Sequence, residues 1–166
     1  MAVALTPSQL KAICPDAPAS AVLPLNLILA RTGSVTHLRA AMVIAQLAAS
    51  SRSFRQLEEP EGRGPTPYFS RGWIGITGRR QYREVGTGLG MDLLRHPELV
   101  TVHNAEATAW VWNAHHLHRH SDTGDVDGCS RALAGWDLGE RRLADARELY
   151  RRARGVLSGS RQRVAA

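Results

Sequence analysis

The sequence predicts a mainly helical fold: a single helical domain with one long central loop and little sheet. Three observations carry this. Apolar residues recur at helical spacing in several stretches that begin at capping residues. Residues 59–72 (EPEGRGPTPYFSRG) hold three prolines and three glycines, too many for a regular element. Only the run 73–78 reads as extended or strand-like. With 43% hydrophobic and 22% charged residues, the 166-residue chain is no disordered polymer, and its length suits one domain.

Thr6-Pro7-Ser8-Gln9 is a helix start: threonine caps, proline takes the first helical position, and glutamine completes a capping box. That helix ends before Pro15, and 15–20 (PDAPAS) is a turn. A second helix covers 22–31, with Pro24 in its first turn and Gly33 as its stop. Thr36 caps a third, running to about Ser51, whose inner face is Leu38, Ala41, Met42, Ala45 and Ala48. Phe54 and Leu57 continue the packing. Beyond the loop and the extended run, a helix spans 79–89 and stops at Gly90; 93–99 is a turn around Pro97. Asn104 caps the next helix, with Ala105, Thr108, Ala109 and Trp112 on one face. Trp110 and Trp112 cannot share a face, so one of them is core. Histidines at 115–120 end that helix, 121–128 is a polar loop, and 126–134 is a short helix. The last helix covers 139–154, with Leu143, Ala146, Leu149, Tyr150 and Ala153 inward. It ends before Gly155, and 158–166 is a frayed C-terminal tail.

Lys11 is the sole lysine, so the other twenty basic residues are arginine, and the net charge is +6. A positive field suits a polyanion, but 5% aromatic content argues against a base-stacking nucleic-acid binder, and GC-rich coding also inflates arginine. Cys14 and Cys129 are isolated; they either pair across a long loop or are both free. No signal peptide and no membrane span are evident: the longest apolar run, 21–30, contains Pro24 and Asn26. His115, His116, His118 and His120 lie near Asp122, Asp125 and Asp127, but only His115 and His118 have i, i+3 spacing. No metal site and no cofactor are expected. A calcium loop at 123–134 fails at both its first and twelfth ligands.

From Tyr68 the chain resembles a known family. Residues 68–82 (YFSRGWIGITGRRQY) are similar to the "YxGRGxIQLTGRxNY" signature of family 19 glycoside hydrolases, the plant-type chitinases and many phage endolysins. Residues 88–100 resemble "LGxDLxxNPxLV", 105–112 "AxxAAWFW", and 124–131 part of "GDVxxxTxxING". Upstream, 38–54 resemble "LRxAxFxAQxAHESGGF", and 57–59 follow as in "RxLEE". The resemblance covers about residues 5–155. It implies a lysozyme-like (α+β) helical domain over residues 1–157, with a cleft for β-1,4-linked N-acetylglucosamine polymers, peptidoglycan or chitin. It places Arg63, Tyr68, Trp73, Gly75, Thr77, Gln81, Tyr82 and Ala134 on the substrate-binding surface.

Inverting glycosidases use two carboxylates about 6.5–9.5 Å apart, one an acid and one a base. The resemblance puts the acid in "HES", where this chain has Ala49-Ser50-Ser51. Ser50 replaces the acid, and a serine hydroxyl is no proton donor near neutral pH. Glu61, in Glu61-Gly62-Arg63, is the candidate base. A sugar-contacting glutamine of the signature is Gly75, its asparagine is Gln81, and the asparagine of "ING" is Ala134. The expectation is a catalytically degenerate chitinase/endolysin-like protein that binds, or once cleaved, wall glycan. Such a protein is cytoplasmic when made and carried to the cell wall in a phage or phage-like particle, whose proteins are then its partners. Two alternatives stay open. One is an active inverting muramidase or chitinase using Glu58, Glu59 or Glu61; the other is a protein-interaction or structural module with a filled cleft.

Overall fold

A computed structural model describes residues 1–60, 67–134 and 139–159. Among these the regular structure is helical, with two isolated β-bridges, Glu58 with Arg71 and Arg71 with Ile76, as its only sheet. The helices are α1 Pro7–Ile13, α2 Val22–Arg31, α3 His37–Ser50, α4 Gly78–Leu89, α5 Leu99–Val102, α6 Asn104–Ala114, α7 His118–Thr123, α8 Val126–Ala134 and α9 Glu140–Gly159. A single 3-10 turn, Ala19–Ala21, precedes α2.

The capping signals act as read. The Thr6 hydroxyl accepts from the Gln9 N–H and the Gln9 side chain accepts from the Thr6 N–H, while Thr36 Oγ1 accepts from the Arg39 N–H. Asn26, the polar interruption of α2, donates to the Leu5 carbonyl and accepts from the Leu5 N–H, tying the N-terminal segment down.

Helix α3 is the centre of the molecule. Its residues 40–48 are all buried, so it is covered on every side rather than along one stripe. Alanine at 40, 41, 45 and 48 lets neighbours approach closely; α9 runs along it, and α7 and α8 also touch it. Leu38, expected inward, is half-buried at the helix start. The one buried polar side chain of α3, Gln46, is fully used. Its amide donates to the Val126 carbonyl at 3.2 Å and its oxygen accepts from Ser130 Oγ at 3.0 Å.

Several expectations are corrected. Residues 73–78 form no strand: 72–75 are a turn across which Arg71 and Ile76 exchange both backbone hydrogen bonds, and Gly78 opens α4. Asn104 is the first helical residue of α6 and His103 its cap. The Asn104 side chain instead accepts the Trp73 N–H at 2.8 Å, a tertiary bond that sequence spacing does not reveal. The polar segment 121–128 contains the end of α7, a left-handed Gly124 and the start of α8, where Asp125 accepts from the Gly128 N–H. Helix α9 continues through Gly155 to Gly159 because buried Leu157 extends its apolar face. Leu57 is 39% exposed while Phe54 is buried. Cys14 and Cys129 are both free and buried; burial pushes the Cys129 thiol up to about 12.

Arg52, Ser53 and Phe54 follow α3 with φ of 49°, 62° and 64°. Three consecutive left-handed non-glycine residues are costly, at roughly 1–2 kcal/mol each. The turn is held by Ser51 Oγ, which accepts from the Phe54 N–H, and by the Ser53 N–H donating to the Ala48 carbonyl. Glycine costs about 0.5–1 kcal/mol of extra chain entropy at such a site, less than the strain it removes. Ser53→Gly therefore raises stability by about 0.5–1 kcal/mol, read as a higher urea midpoint at unchanged slope.

Of the four histidines at 115–120, His118 is held in the packing. Trp112 Nε1–H can only donate, and it meets His118 Nδ1 at 3.3 Å; the Thr32 carbonyl can only accept, and it meets His118 Nε2. Both contacts together require the neutral Nε2–H form. Burial, aided by Arg39 and opposed by the Thr32 carbonyl and Asp122, lowers the His118 pKa from 6.5. The unfolded chain therefore takes up this proton first. The His118 contribution is complete above the ordinary histidine value and is lost as pH falls through it toward the folded value. Urea midpoints taken between pH 8 and pH 5 fall less steeply in His118→Asn than in the parent chain.

Candidate functional site

Residues 56–59 and 70–77 and the ends of α3, α8 and α9 surround a cleft. It consists of two recesses that share Ser50, Glu59, Ser70 and Arg142. One, of about 200 Å³, adds Arg52, Gln56 and Glu58 to the lining. The other, of about 660 Å³, adds Gly75, Thr77, Gln81, Arg131 and Ala134. Thus Ser50, Gly75, Thr77, Gln81 and Ala134, five of the residues singled out in the sequence, line one recess although they come from four separate segments.

Arg71 braces the cleft wall from behind, between the lining residues Ser70 and Gly72 and paired with Glu58. It is 6% exposed; its Nε donates to Glu58 at 2.9 Å, and its Nη1 donates to the Pro67 carbonyl at 2.9 Å and to the Tyr82 hydroxyl at 2.8 Å. The guanidinium also lies 3.7 Å over the Phe69 ring. Burial opposes its charge, but the bonds to Tyr82 and Glu58 more than offset that and raise its pKa. Burial raises the Tyr82 phenol, and Arg71 partly offsets it. Sequence reasoning passed Arg71 over as one letter of a motif.

Trp73 is the second anchor. Its N–H goes to Asn104, its carbonyl accepts from Ser50 Oγ, and its ring stands edge-on to Phe54 at 5.0 Å. At 4% exposure it is no platform for a sugar. Tyr68 and Tyr82 also sit beneath the cleft rather than in it: their rings tilt together, Tyr68 donates to the Leu94 carbonyl and Tyr82 to the Phe69 carbonyl. Trp112 is the core tryptophan of α6. Trp110 is half-buried beside the cleft in a small recess with Ile74 and Gln81, its ring lying where a Cβ on Gly88 would be. Glu61, Arg63 and Trp136 lie outside the described residues.

The chemistry available in the cleft is narrow. Ser50 donates to the carbonyls of Leu47 and Trp73. Gln81 Oε1 accepts from the Thr77 N–H, which leaves its amide N–H groups for the cleft. Gly75 takes φ 79°, so a backbone turn stands where the signature has a glutamine side chain. Glu58 and Glu59 are neighbours on one wall, with Glu59 fixed by its N–H to the Ser70 carbonyl. Among the described residues no other carboxylate lines the two recesses. No group of three or more metal-ligating side chains occurs among the described residues, and no helix there is long and apolar enough to cross a membrane.

A helical frame that buries one alanine-rich helix and opens a cleft at its C-terminal end is the helical, lysozyme-like fold of chitinases. Chitinase C from Streptomyces griseus HUT6037 superposes with a TM-score of 0.71 at 17% identity, over 91% of this chain and 75% of that one. A chitinase C mutant gives 0.73 at 16% identity, over 93% and 92%. In sequence, rice chitinase 8 (Oryza sativa subsp. japonica) is 39% identical over 49 residues, which are 28% of this chain and 19% of the rice protein. No family model matches.

Proposed function

We propose that the chain is a catalytically degenerate chitinase/endolysin-like protein that holds β-1,4-linked N-acetylglucosamine polymers, peptidoglycan or chitin, without cleaving them. A phage or phage-like particle carries it to the wall. The observation that carries this reading is Ser50. At the cleft end of α3, where the resemblance calls for an acid, stands a hydroxyl already donating to two backbone carbonyls. General acid catalysis alone is worth about 10²- to 10⁴-fold. The open cleft weighs against a module with a filled one. The active reading has one observation in its favour, that Glu59 lines both recesses alongside Ser50.

Sedimentation with insoluble peptidoglycan and with chitin at low salt, run beside a turbidity assay, separates the readings. Binding to either polymer without turbidity loss is expected. Turbidity loss that disappears in Glu58→Gln, Glu59→Gln or Glu61→Gln overturns degeneracy, and failure to sediment with both polymers overturns glycan binding. Hydrolysis gained by Ser50→Glu would show the rest of the cleft to be intact.

A further inference from the structure

We infer that the cleft contains a carboxylate-binding subsite at Arg142, so that it takes an acidic glycan in preference to a neutral one. This rests on the glycan reading above and adds the chemical class of the occupant. Arg142 projects from the first turn of α9 and lines both recesses. It is half-buried, and burial alone lowers its pKa. Among the described residues, seven other arginines pair with carboxylates: Arg31 with Glu106, Arg39 with Asp122, Arg71 with Glu58, Arg80 with Glu84, Arg147 with Asp127, and Arg151 and Arg152 with Glu148. Arg142 makes no ion pair or hydrogen bond among the described residues.

The charge around it points the same way. Arg52 lines the smaller recess and Arg131 the larger. Among the described residues that line the recesses, the acidic groups are Glu58, whose carboxylate is committed to Arg71, and Glu59. A neutral chitin chain offers hydroxyls and acetamides, which can accept single hydrogen bonds but bring no charge. A carboxylate accepts two parallel bonds from one planar guanidinium and neutralises it, which a partly desolvated cation favours strongly. In wall glycan that carboxylate has two sources, the lactyl ether of the muramyl sugar and the free carboxyls of the stem peptide. The chemistry at Arg142 is the same for both.

Titration calorimetry on the full chain tests this with three probes: chitotetraose, a peptide-free tetrasaccharide of alternating N-acetylglucosamine and N-acetylmuramic acid, and the same tetrasaccharide bearing stem peptides. At least one muramyl probe binds about tenfold or more tightly than chitotetraose, the equivalent of one charge-assisted hydrogen bond. A gain with the peptide-free probe assigns the lactyl source; a gain only with peptides assigns the stem. Methyl esterification of the preferred probe removes the gain on the unaltered protein, so the result does not depend on any variant folding. Arg142→Gln also removes it, and Arg142→Lys keeps part of it. Equal affinities for all three probes overturn the subsite while leaving glycan binding in place. So does a preference that survives both esterification and Arg142→Gln. Binding of no probe overturns the glycan reading and the subsite together.

Discussion

Arg71→Met lowers the unfolding free energy by about 3–5 kcal/mol, while Glu58→Gln lowers it by less than about 1 kcal/mol. The two residues form one ion pair, so a simple count of salt bridges would predict similar losses. Burial separates them. The Glu58 side chain is 45% exposed, and water replaces the guanidinium at little cost. The Arg71 side chain is 7% exposed, and its removal leaves the buried Tyr82 oxygen and the part-buried Pro67 carbonyl without their donor. Each buried bond to a charged group is worth about 1.5–3 kcal/mol. Because Arg71 also pairs its backbone with Ile76, the loss is local as well as global. Hydrogen exchange at Gly72, Gly75 and Ile76, all donors inside this segment, accelerates more in Arg71→Met than the global change requires. Equal losses in the two variants would refute the assignment of Arg71 as the keystone of the cleft wall.

Trp112→Ala costs about 3–5 kcal/mol, and Trp110→Ala under about 2 kcal/mol. Trp112 of α6 is wholly buried, and its indole N–H donates to His118 Nδ1 on α7. Truncation opens a cavity and removes that donor. Trp110 is half-buried at a rim, where Gln81 and Glu84 side chains and solvent can relax into the space. Denaturant midpoints of the two variants, compared at equal slope, decide this; a larger loss at Trp110 would reverse the assignment.

Much of the fold was legible along the chain because its signals are local. Thr6 with Gln9, Thr36, Gly33 and Gly90 act within four residues of their own position, and the helices they bound begin and end where those residues put them. Misreadings arose where a local rule met a longer-range partner. Asn104 looks like a cap and serves Trp73 instead, thirty-one residues away. Gly155 looks like a stop, but Leu157 gains enough by burial to keep the helix going. The run 73–78 has strand-like residues yet closes on itself, because Arg71 on one side and Ile76 on the other pair with each other.

The candidate site divides in the same way. Ser50, Gly75, Thr77, Gln81 and Ala134 were named from a motif, and the fold places them around one recess. Tyr68, Trp73 and Tyr82, named from the same motif, are instead the packing beneath it. A motif records which residues recur together, and that is silent on whether they touch a ligand or each other. Arg142 carried no signal at all: it is one arginine among twenty, in a basic stretch of an amphipathic helix.

By itself the sequence determined where the longer helices lie, though not α5, α7 or the end of α9, that sheet is nearly absent, and that no carboxylate stands between residues 46 and 53. These follow from capping, apolar period and residue identity, which are properties of neighbours in the chain. Only the tertiary structure decided which tryptophan is core, that both cysteines are buried thiols, that Arg71 holds the cleft wall, and that Arg142 faces the cleft without an ion pair among the described residues. Those are questions of burial and of partners distant in sequence. Their energies depend on what water is excluded from, and exclusion exists only once the helices have packed.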